Sequence, residues 1–164
     1  MPFLLTACAR AEGALAPTGV AAGLPTTDYS DQVEQSYLPD VDAASLEPVI
    51  NYVDGLNLAL AGDFEYIKTS ATDNCGCLDI ANRLQRLHKS ATLIGGRYQL
   101  VSIKVINDGQ SQKSFEVKVH RSDLRKIDKA SKQSVICSES EITNQFIVKN
   151  TDGGWLLSDI KSLH

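Results

Sequence analysis

The sequence predicts the α+β class: N-terminal helices packed on a curved antiparallel sheet. Three observations lead there. Apolar residues recur at helical spacing from Leu46 to Leu60. After Gly95-Gly96 the apolar period changes to two. Turn signals at Asn107-Asp108-Gly109 and Asp152-Gly153-Gly154 then divide the remainder into hairpins. Helices first and strands afterwards put the helices on one face of the sheet.

The first helix is expected to begin at Ser45 as N-cap, with Pro48 tolerated in its first turn. Its apolar stripe is Leu46, Val49, Ile50, Val53, Leu56 and Leu60, and Gly62 stands where a left-handed residue commonly closes a helix. Asp63 can cap a short second helix carrying Phe64, Tyr66 and Ile67. A third helix follows the Cys75-Gly76-Cys77 pair, with Leu78, Ala81, Leu84, Leu87 and Ala91 on one stripe, Arg83, Arg86 and Lys89 opposite, and Gly95-Gly96 as its stop. Val101, Ile103 and Val105 open the strand region, and Phe115, Val117 and Val119 alternate with polar residues as a half-buried strand. Residues 122–141 show no clear period apart from a short strand at Val135-Ile136-Cys137. Phe146, Val148, Trp155, Leu157 and Ile160 form the last hairpin.

The N-terminal part reads differently. Leu5-Thr6-Ala7-Cys8 fits the lipobox that precedes a lipid-modified cysteine: small residues admit the processing peptidase, and the sulfur takes a diacylglyceryl group. Two acyl chains matter, because one gives only marginal, reversible membrane binding. Residues 1–8 are thus expected to be the remnant of a signal peptide, with a basic and apolar leader upstream of Met1. Residues 9–44 have no sustained period, carry Pro17, Pro25 and Pro39, and are expected to be a disordered tether. Residues 45–164 form the domain. The layout places the chain at the extracytoplasmic face of a cell membrane, held by its anchor and not spanning, since no stretch nears the roughly 20 apolar residues of a spanning helix.

The formal charge of -4 is unevenly spread. The tether holds six acidic residues against Arg10, leaving fifteen Lys/Arg against fourteen Asp/Glu elsewhere. A near-neutral domain offers no electrostatic footprint for nucleic acid.

Residues 49–63, a Ser-x-x-x-x-Cys-x-Cys segment, Ile94-Gly95-Gly96-Arg97-Tyr98 and the closing Gly153-Gly154-Trp155 together resemble an uncharacterised family of actinobacterial lipoproteins with a nuclear-transport-factor-two-like (SnoaL-like, cystatin-like) domain. The resemblance covers residues 46–164 and, with Cys8, most of the layout. It implies a cone-shaped domain with a cavity between the long helix and the sheet, and no established activity. The family spacing is Cys-x-x-Cys, one residue wider than here.

Several readings of the chemistry stay open at this point. Cys75 and Cys77 can bridge each other, either can bridge to Cys137, or all three can be thiols; close spacing strains the first option, and loop closure favours the second. No zinc-ligand spacing or cofactor motif is present. Some members of the fold the chain resembles are isomerases, dehydratases or cyclases with an Asp or His base in the cavity, which makes Asp54, with Tyr52 and Asn57 beside it, or His120 the residue to weigh as general base. His88 reads as solvated, Asn51 and Asn57 as the polar flank of the helix, and Tyr52, Phe64, Tyr66, Tyr98, Phe115 and Trp155 as core. The leading expectation is a non-enzymatic lipoprotein that binds or scaffolds at the envelope, its partner an envelope protein or a small apolar ligand. The alternative is a small cavity enzyme.

Overall fold

The computed structural model describes residues 39–163. Helix α1 spans Ala43–Ala61. Its N-cap is Asp42, whose carboxylate accepts from the Ala44 N–H at 3.1 Å, so the helix begins before the expected start. Ser45 lies inside the first turn, fully buried, with its hydroxyl donating to the Asp42 carbonyl at 2.7 Å. Asp is as good a cap as Ser and stands nearer to Ala43-Ala44, which helix readily. Pro48 therefore falls in the second turn. The C-terminus closes as expected: Gly62 has φ +101°, and its N–H bonds the Ala59 carbonyl at 3.1 Å.

Helix α2 (Glu65–Thr69) is short. The Asp63 carboxylate receives the Glu65 N–H at 3.1 Å, and Ile67 packs directly over Gly55 of α1. Helix α3 (Leu78–Ser90) buries Ile80, Ala81 and Leu84, and ends earlier than its apolar stripe suggests. Ala91 turns to extended backbone, and Ala91–Gly95 is strand β1. Helical spacing alone admits Ala91, but β-branched Thr92 and Ile94 favour a strand, and pairing with a partner segment decides it.

That partner is β4 (Leu124–Asp128), inside the stretch without a readable period. Together with β5 (Ser134–Cys137) it builds a three-stranded sheet in the order β1-β4-β5. The expected single sheet is thus two. The second holds β2 (Tyr98–Asp108), β3 (Gln112–Arg121), β6 (Ser140–Thr151) and β7 (Gly154–Ser162), in the order β2-β3-β6-β7, all antiparallel. Register shifts after Leu100 and Val105 break the alternation of β2, leaving Ile103 buried but Val105 and Ile106 exposed.

One core fills the space between the helices and the inner face of the larger sheet. Leu46, Val49, Tyr52, Val53, Leu56 and Ala59 of α1 meet Phe115, Val117, Phe146, Val148 and Leu157. The ring of Tyr52 stands edge-on to Phe146 with centroids 5.7 Å apart. Each such side chain, fully buried, contributes about 1.5–3 kcal/mol.

Candidate functional site

The interior is nearly filled. Between α1 and the sheet a cavity of about 20 Å³ is bounded by Tyr52, Leu56, Tyr98, Val119, Asn144 and Phe146 among others. That is room for a single water. Its lining includes no carboxylate, imidazole or thiol. Burial pushes the Tyr52 phenol far above its usual range, and its hydroxyl donates to the Cys77 carbonyl at 3.3 Å. Burial also raises Tyr98, with the Arg121 guanidinium pulling the other way. Both phenols stay protonated near neutral pH and serve as hydrogen-bonding groups, not as bases.

The two residues weighed as bases lie elsewhere. Asp54 is exposed on the outward face of α1. His120 sits on the outer face of β3, in register with Gln99 and Glu141, its Nε2 3.8 Å from Glu139. It belongs to a charged ladder with the Lys104–Glu116 pair at 3.3 Å and the Lys118–Glu141 pair. The α1–sheet core separates Asp54 from His120.

Cys75 and Cys77 are both buried and joined by a disulfide, their Cα atoms 5.1 Å apart. Neither is bonded to Cys137, which ends β5 in register with Leu124. Cys8 and the proposed tether up to Leu38 lie outside the described residues. His88 is half-buried and not simply solvated: its Nε2 is 3.1 Å from the Ala59 carbonyl and its ring stands edge-on to Phe64 at 5.7 Å. The negative end of α1 suits an imidazole there. Tyr66 is not core. It is exposed, with its hydroxyl donating to Asn51 at 3.2 Å.

A second, larger space lies outside the core. It is an open depression of about 730 Å³ between the outward face of α1 (Asp54, Asn57, Leu58, Ala61), Tyr66, and the end of β1 with its following turn (Leu93, Gly95, Arg97). Asn57, read from sequence as a polar flank, holds this wall together by bonding the backbone of Tyr98. The signal available in the sequence was Leu58, a large aliphatic residue that falls off the helical stripe. Among the described residues neither Asp54 nor Arg97 makes an ion pair.

Sequence reasoning also passed over Arg121. It continues the inward parity of Phe115, Val117 and Val119, and is 5% exposed. Its Nη2 donates to the Ser138 carbonyl at 2.5 Å, while Nε has no partner. No cluster of three His, Cys, Asp or Glu among the described residues could hold a metal ion. No helix among them is long and apolar enough to cross a membrane.

No protein-family model matches this sequence, and no curated protein is similar to it. Solved structures are. The intermembrane space region of chloroplast protein ARC6 superposes with a TM-score of 0.56 at 16% identity, covering 76% of this chain and 98% of that one. A ketosteroid isomerase-like protein from Erwinia carotovora atroseptica has a TM-score of 0.49 at 14% identity, covering 72% and 91%. A protein with a cystatin-like fold from Nostoc punctiforme has 0.49 at 10%, covering 74% and 92%. The likeness to the ARC6 region extends over nearly that whole domain, and at this identity it shows a shared α+β fold alone.

Proposed function

We propose that this chain is a lipid-anchored protein of the extracytoplasmic face of the cell membrane, whose folded domain binds a partner and does not catalyse a reaction. The observation that carries the second half is the filled interior: about 20 Å³, with Asp54 and His120 both outside it. A general base must reach the proton it takes, and burial must raise its pKa toward neutrality. The isomerase or dehydratase alternative would require the core to open and one of these residues to turn inward. Binding needs neither. The outer depression, with its size in the usual ligand-site range, is the surface that supports it.

The anchor rests on Leu5-Thr6-Ala7-Cys8 and on the acidic, Pro-interrupted residues 9–44 that come after it. Metabolic labelling of the full-length precursor with a palmitate analogue should tag the protein, and Cys8→Ser should abolish the tag. A protein recovered wholly from the cytosol without fatty acid would refute the anchor. Turnover of a ketosteroid or polyketide probe, abolished by Asp54→Asn or His120→Gln, would refute the binding role.

A further inference from the structure

Strand β1 is an edge, and its register says which of its backbone groups are free. Lys129 N–H bonds the Ser90 carbonyl at 2.9 Å, and Gly96 N–H bonds the Asp123 carbonyl at 2.7 Å. Between these two points the pairing runs without a break from Ala91↔Asp128 to Gly95↔Leu124. In an antiparallel ladder, hydrogen-bonded and non-hydrogen-bonded pairs alternate. Thr92 and Ile94 therefore turn their N–H and C=O groups toward β4. Ala91, Leu93 and Gly95 turn theirs to the opposite side, where no described strand pairs with β1. The Ala91 N–H is taken by the Leu87 carbonyl. Leu93 and Gly95 keep both groups open, and these are the two β1 residues that line the outer depression.

Free edges of this kind are usually blunted by charge, proline or a covering element. This one is instead flanked by apolar surface. Leu58 is 38% exposed, Tyr66 39% and Ile94 53%. Asn57 is bonded to Tyr98, next to Arg97, so Arg97 and Asp54 (one helical turn from Asn57) mark the polar end of the depression. Leu58, Ala61 and Leu93 line the rest.

We propose that this depression takes an extended peptide segment of a partner protein, which adds to β1 as a further strand through the N–H and C=O groups of Leu93 and Gly95. Its side chains on one face, apolar at alternate positions, lie against Leu58, Ala61 and Leu93, and a charged residue faces Arg97 and Asp54. Two donor–acceptor sets spaced two residues apart match an extended backbone, and about five residues at roughly 3.3 Å each span the edge. A compact ligand cannot use both sets at once. A second copy of this domain would have to bring its own sheet past the α1 wall beside β1, whereas a single segment does not.

The proposal rests on the reading of the domain as a binding module but not on the lipid anchor. Amide hydrogen exchange on the full chain tests the edge first. In the free protein Thr92 and Ile94 should be protected and Leu93 and Gly95 should exchange freely. Random nonapeptides displayed on phage are then selected on the full chain, and the enriched sequences are synthesised. Bound peptide should slow Leu93 and Gly95 by at least about tenfold. Leu58→Arg, at an exposed position that leaves the fold intact, should weaken binding at least about tenfold, as should N-methylation of alternate peptide residues. Leu93 and Gly95 already protected in the free chain would overturn the proposal. Protection that fades on dilution would identify a second copy as occupant, and protection independent of concentration a segment of the chain itself. Enriched peptides that protect other amides would overturn strand addition while leaving a binding module. No enrichment at all would overturn both.

Discussion

Asn57 grips the backbone of Tyr98 from both sides: its amide nitrogen donates to the Tyr98 carbonyl at 2.9 Å, and its side-chain oxygen accepts the Tyr98 N–H at 2.8 Å. A side chain on α1 thus does what a neighbouring strand would do, and fixes the start of β2 against the helix. Each bond is worth about 0.5–1.5 kcal/mol net. Asn57→Ala should cost about 1–3 kcal/mol in urea unfolding. Asn57→Asp should cost as much or more, because a carboxylate loses the donor and sets an anion against the Tyr98 carbonyl. Unchanged unfolding midpoints in both variants would rule out the clamp.

Gly55 sits where α2 crosses α1. A Cβ there would stand 2.7 Å from Ile67 Cγ1 and 3.2 Å from the Ile67 Cα and N. Alanine improves helix propensity by about 1 kcal/mol over glycine. Overpacking against a backbone costs about 1–3 kcal/mol and should win. Gly55→Ala is expected to lower stability and shift the α2 amide resonances, and a gain in stability would show that α2 moves away freely.

Asp128 organises the turn after β4. Its Oδ1 accepts the Ser131 N–H at 2.7 Å, the Ser131 hydroxyl at 3.0 Å and the Ala130 N–H at 3.0 Å. The Ser131 N–H, then the Ser131 hydroxyl, hold its carboxyl below the usual carboxylate range. A carboxyl lowered in the folded state contributes stability that is present above its unfolded pKa and lost as pH falls through the folded one. NMR titration should find the Asp128 midpoint below that of exposed carboxyls, and it should move up in Ser131→Ala. A midpoint unmoved by that substitution would contradict the assignment of cause.

Arg121 is buried, with Nη2 on the Ser138 carbonyl and a bare Nε. An isolated buried charge is expensive, and apolar replacement of buried ionic groups is often neutral or stabilising. Arg121→Met should change stability by less than about 1.5 kcal/mol, the loss of that bond offsetting the relief of desolvation. It should also loosen the Ser138–Ser140 segment, read as faster amide exchange there. A loss above about 3 kcal/mol would mean that the guanidinium is better satisfied than this geometry allows.

Much of the fold could be read from particular residues. The stripe Leu46–Leu60, Gly62 and the 115–119 alternation each answer to a local period, and local periods survive into the structure because each element buries one face. Strand β1 could not be read that way. Residues 91–95 fit the tail of a helix as well as a strand, and only β4, itself without a clear period, decides between them. The site was harder still. Asp54 and His120 have the right chemistry, but which side of the core a residue faces depends on how α1 rotates and on the parity of β3. Leu58 and Arg121 carried a signal, one by leaving the helical stripe and one by keeping the strand alternation with the wrong chemistry for a core.

The order of residues was enough to establish that helices precede strands and where the chain turns. It also marked the acidic, proline-broken lead-in behind Cys8 as different in kind from the domain. Side-chain periodicity and backbone restriction carry that information, and both act between near neighbours. Three features emerged only on folding: the strands divide into two sheets, the interior is filled, and the free edge of β1 faces a depression under α1. Those depend on contacts between segments far apart in the chain, and no local pattern encodes which of them meet.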